Sequence, residues 1–148
     1  MTEPPSKTDS ADRDQGDPER PQAAMEMKEQ VARHAYTVDS YGAGGFRIAG
    51  TWYTGAVLLT PEQVTALPGA TAADLSPADL VPLWNAAEPS EIVLFGAGAE
   101  IAAVPQRIKE ALAAQGLSAD PMDTGAAART FNVLAMEERR VGAILLPL

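Results

Sequence analysis

Apolar positions change their spacing midway along the chain, and the change predicts two kinds of architecture. From Ala35 to Leu59 the apolar residues come in short, loosely alternating groups separated by glycines. Ala35–Tyr41, Phe46–Ile48, Thr51–Tyr53 and Gly55–Leu59 therefore read as four short strands of an antiparallel meander. Gly42-Ala43-Gly44-Gly45 and Gly50 supply turns. No helix signal follows the glycine cluster, so it reads as a hairpin turn and not as a phosphate loop.

Beyond Leu59 the rhythm lengthens. Thr60-Pro61 and Ser76-Pro77 each place an N-cap residue before a proline at N1. Ser76 is expected to open a short helix carrying Leu80, Leu83 and Trp84. Glu91–Phe95 is a compact apolar run, as in a buried parallel strand. The spacing predicts a helix from Glu100 to Gln115, with Ile101, Val104, Ile108, Ala111 and Leu112 on its inner face. Pro105 falls in its first turns and Gly116 suits its C′ cap. Leu117–Asp120 reads as a strand. Asp123 or Thr124 caps a helix running to Met136, with Ala127, Phe131 and Leu134 inward. Val141–Leu146 is a last strand, stopped by Pro147. Strand, helix, strand, helix, strand predicts a right-handed α/β unit.

The N-terminal segment differs. Residues 1–22 hold four prolines and nine charges, and after Met1 no Val, Ile, Leu, Met or aromatic residue. Such a stretch cannot bury enough apolar surface to offset its ordering entropy, so a disordered acidic tail is expected. Residues 23–33 carry a short helical pattern. The expected organisation is a tail over 1–22 and one α/β domain over 23–148. The N-terminus also lacks the basic-then-apolar order of a signal peptide, so the expected compartment is the cytoplasm. No apolar run of eighteen residues exists, so no membrane span is expected.

Composition narrows the chemistry. There is no cysteine and one histidine, His34, which removes thiolate nucleophiles, disulfides and His-rich metal sites. We expect no metal and no cofactor. A net charge of −9 argues against nucleic acid as a partner. From Ile48 to Gln106 there is no Lys or Arg, whereas five of the eleven basic residues lie between Arg107 and Arg140. Arg107 and Lys109 are expected to pair with nearby acids on a helix surface.

Candidate functional residues cluster in the second half. Gly96-Ala97-Gly98 joins a strand to a helix, where free amides favour anions. It lacks the third glycine of a dinucleotide loop, because position 101 is Ile101, and it lacks the Lys-Ser/Thr of a P-loop. Asp123 and Thr124 are cap residues that come near Gly96 and Gly98 if their strands are parallel neighbours. Arg129 and Asn132 are three apart and share a helix side. Glu137, Glu138, Arg139 and Arg140 follow the helix end. There Arg129, Arg139 and Arg140 form either a fork for a carboxylate or phosphate or an ion-pair network with Glu137 and Glu138. No Gly-x-Ser-x-Gly elbow is present. Trp52, Tyr53 and Trp84 are candidates for packing or for lining an interface.

Several of these pieces carry a resemblance: Tyr41-Gly42, Phe46–Ile48, Gly55–Leu59, Val93–Gly98, Met122-Asp123-Thr124, Ala127–Leu134 and Glu137–Val141. In order and spacing they resemble the small-domain family that includes mitochondrial respiratory complex I assembly factor 3 and the adipogenesis-associated domain protein. That family usually has Gly-Thr-Gly where this chain has Gly96-Ala97-Gly98, and Glu-Gly-Arg where it has Glu137-Glu138-Arg139. The resemblance implies a three-layer fold: a central mixed sheet, helices on both sides and a β-hairpin layer. It also implies a non-catalytic interaction or assembly role, linked to respiratory complex I, with a protein partner; a stable domain that pairs with itself as a homodimer is a separate option. The alternative is a small-ligand or anion-binding protein, or a cryptic enzyme, using Gly96, Gly98, Thr124, Asn132 and Arg139.

Overall fold

The computed structural model describes residues 36–67 and 69–148. These lie within one compact unit. The expected tail, the helical pattern of 23–33, Ala35 and His34 fall outside the described residues.

Three strands form an antiparallel sheet in the order β1 (Val38–Gly42), β2 (Gly45–Ile48) and β3 (Thr51–Thr54). Both hairpins close through two-residue turns whose residues all have positive φ: Ala43 at 52° and Gly44 at 80°, Ala49 at 50° and Gly50 at 84°. That doubled left-handed geometry matches the right-handed twist of the flanking strands. Phe46 and Ile48 point inward and are fully buried, while Arg47 between them is exposed.

The fourth predicted strand leaves the meander. β4 (Val57–Thr60) is buried throughout and belongs to a five-stranded sheet of order β5-β4-β8-β6-β7. The reason lies in its side chains. Val57-Leu58-Leu59 is apolar on both faces, and only a strand covered on both faces accommodates that. Thr60-Pro61 does not start a helix. It turns β4 into β5 (Gln63–Ala66), with Thr60 Oγ1 accepting from the Glu62 amide at 3.4 Å.

Ser76 opens a 3-10 segment (Pro77–Leu83) rather than an α-helix, with Pro82 inside it. β6 (Ile92–Gly96) is the buried parallel strand expected. Helix α1 runs from Gln106 to Ala113, six residues later than the pattern of apolar residues suggests. Pro105 is its N-cap. A proline ring denies the helix a hydrogen bond back to residue 101 and biases Val104 away from helical angles. Ile101 is therefore 67% exposed and not on an inner face, whereas Ile108 and Leu112 are buried. Gly116, at φ 74°, ends the helix, and Leu117 N–H reaches back to the Leu112 carbonyl at 2.9 Å. β7 (Ala119–Met122) begins two residues later than predicted and contains Pro121. The proline is tolerated because β7 is an edge strand. Helix α2 (Thr124–Met136) and β8 (Val141–Leu145) complete the chain.

The five-stranded sheet has a hydrophobic core on each face. One joins Val57, Leu59, Leu94, Val141, Ala143 and Leu145 to Phe46 and Ile48 of the meander and to Ala127, Ala128, Phe131 and Ala135 of α2. The other joins Leu58, Val93, Phe95 and Ile144 to Leu80, Leu83, Ile108 and Leu112. Helices thus cover both faces of a mixed sheet and the hairpin layer sits on one side, as expected. No helix among the described residues is long and apolar enough to cross a membrane.

Candidate functional site

Parallel pairing of β6 with β7 and β8 sets Gly96 opposite Met122 and Leu145. Gly96, Gly98, Asp123 and Thr124 therefore do meet, at the carboxyl ends of these strands. What the geometry builds there is a closed hydrogen-bond clamp. Thr124 N–H donates to the Gly98 carbonyl at 2.8 Å, and Gly98 N–H donates to Thr124 Oγ1 at 2.8 Å. The Thr124 hydroxyl in turn donates to the Leu146 carbonyl at 2.6 Å. Ala97 N–H donates to Met122 O, and Leu146 N–H to Gly96 O, both at 2.9 Å. Thr124 is completely buried.

The amides of Ala97 and Gly98 are thus occupied within the fold, and no helix begins directly after them. Both facts remove what an anion would use at Gly96–Gly98. Gly98 takes φ 109°, a conformation side-chain-bearing residues rarely adopt. At Gly96 a Cβ would approach Ala127, Leu145 and Thr124 at 3.1 Å. Gly96 thus allows close packing of strand and helix, and Gly98 serves the backbone turn.

Asp123, not Thr124, is the cap of α2: its Oδ1 accepts from Ala126 N–H at 2.9 Å. Thr124, one residue inside the helix, is left to make the clamp.

Arg129 and Asn132 each reach β1, but at different residues. Asn132 Oδ1 accepts from Val38 N–H at 2.8 Å and its Nδ2 donates to Val38 O at 2.9 Å. The amide side chain thereby stands in for a neighbouring strand along the edge of β1. Arg129 Nη1 donates to Tyr41 Oη at 3.3 Å on the exposed side. Gly125 lies beneath this pair, and a Cβ there would come within 2.7 Å of Tyr41 Oη. Sequence reasoning did not mark Tyr41 as a site residue, because its relation to Arg129 is 88 residues long.

Arg129 and Arg140 turn to different partners, Tyr41 and Glu91, so with Arg139 they do not form one fork. Arg140 is ion-paired with Glu91. Glu91 precedes β6 as Arg140 precedes β8, and the register Ile92↔Val141 sets them side by side. Glu138 takes φ 62°, the left-handed position that ends α2. Its amide donates to Ala135 O at 3.0 Å, and the Arg139 amide to Leu134 O at 2.9 Å. This is the paired bonding of a Schellman end, with glutamate where glycine is usual. Among the described residues no acid is ion-paired with Arg107. Arg107 donates to the carbonyls of Leu75 and Ala72 and ties α1 to the segment before it.

The outer surface of α2 is less finished. Val133 is 55% and Met136 60% exposed, and with Arg129 they follow at i, i+4 and i+7 along one stripe. Tyr41, 37% exposed, adjoins the Arg129 end. Trp52 is exposed on the meander, while Tyr53 and Trp84 pack against the cores. Among the described residues no group of three acids or histidines is placed to hold a metal ion.

Among the described residues, Glu62 and Asp74 are the groups held off their ordinary titration range. Partial burial, with Glu88 nearby, raises the Glu62 carboxyl. The amides of Ala70 and Thr71 and the Thr71 hydroxyl lower that of Asp74. Both lie outside the cluster above.

Comparison with known proteins agrees with this architecture. The chain is 44% identical over 124 residues to an uncharacterized protein of Rhodobacter capsulatus, covering 84% of this chain and 94% of that one. It is 28% identical over 123 residues to human NADH dehydrogenase [ubiquinone] 1 alpha subcomplex assembly factor 3, covering 83% of this chain and 67% of the human protein. A crystal structure of a protein from Bordetella parapertussis superposes with a TM-score of 0.65 at 33% identity, covering 76% of this chain and 96% of that one. The matching family model spans residues 38–146, and the chain belongs to that family, described as protein of unknown function (DUF498/DUF598).

Proposed function

We propose that this protein is a non-catalytic, assembly-factor-like protein that holds a protein partner during biogenesis of respiratory complex I. The observation that carries the proposal is the likeness to the human assembly factor, which covers 83% of this chain. The geometry of the candidate cluster supports a binding role over a chemical one. Thr124, Gly98 and Asn132 satisfy one another or the backbone. The exposed stripe Arg129, Val133 and Met136, with Tyr41 at its end, is the surface we assign to the partner. An aromatic, a guanidinium and two flexible or branched apolar side chains are the mixture typical of protein interfaces.

A deletion strain of the source organism tests the role. The amount of assembled NADH dehydrogenase complex on a native gel should fall, and the wild-type gene should restore it. Undiminished complex in the deletion strain would overturn the link to complex I.

A further inference from the structure

We draw no further inference here: the strongest candidate, the shallow groove of 290 Å³ between α1 and edge strand β7, lined by Gln106, Lys109, Glu110, Ala113, Leu117 and Ala119, carries nothing because nothing in the structure shows what covers it.

Discussion

Replacing Thr124 by valine keeps the shape of the side chain and removes one oxygen. In the native fold that oxygen accepts from Gly98 N–H at 2.8 Å and donates to Leu146 O at 2.6 Å, with no solvent access to the residue. The valine variant leaves a buried donor and a buried acceptor without partners. Each costs roughly 1–3 kcal/mol, so the loss should be about 2–6 kcal/mol. For a domain of this size that lowers the melting temperature by about 8–24 °C. Thr124→Ser is the matched control. It keeps the hydroxyl and loses a buried methyl, at a cost of about 1 kcal/mol. Thermal and urea unfolding followed by circular dichroism would measure both variants against the wild type. A valine variant within 1 kcal/mol of wild type would refute the clamp. So would a serine variant as unstable as the valine one.

Two further substitutions read local features. Glu138 pays the steric cost of a left-handed residue, about 1–2 kcal/mol, partly offset in glycine by its larger unfolded-state entropy of roughly 0.5–1 kcal/mol. Glu138→Gly should therefore be more stable than Glu138→Ala by about 0.5–1 kcal/mol in urea unfolding; equal stabilities would show that the end of α2 is unstrained. The raised Glu62 carboxyl favours its protonated form in the fold, because burial and Glu88 disfavour its charge. That contribution is present below the ordinary glutamate range and is lost as pH rises through the raised value. Glu62→Gln should thus raise the melting temperature at pH 7 and leave it unchanged near pH 4; a gain at both pH values would point to packing instead.

The elements that were legible in the sequence are those whose local pattern had one solution. β6 is a buried apolar run, α2 has an acidic cap and an apolar face, and glycine turns join the meander. Proximity of Gly96–Gly98 to Thr124 also followed, given parallel strands. The misreadings have a common origin in tertiary context. Val57-Leu58-Leu59 has no alternation, and that was the signal that β4 belongs between two layers and not in a meander. The apolar spacing from Ile101 onward imitates a helix, but Pro105 sets the true start. The partners of Asn132, Arg107 and Arg140 lie 94, 32 or 35, and 49 residues away, and no local pattern names them. For the same reason the sequence offered Asn132 as a site residue, whereas its amide closes the edge of β1. Asn132→Ala would unsettle that edge and so would be a poor probe of the surface.

The most direct test is a pull-down with the tagged full-length chain from its source organism, wild type beside the double variant Val133→Asp, Met136→Asp. Both positions are exposed, so the variant should unfold at the wild-type temperature. The account predicts one stoichiometric partner with the wild type, a component or assembly intermediate of the NADH dehydrogenase complex, and its loss in the variant. Recovery of that partner by the variant at the wild-type level would contradict the assigned surface, and failure of the wild type to capture any such component would contradict the proposed role.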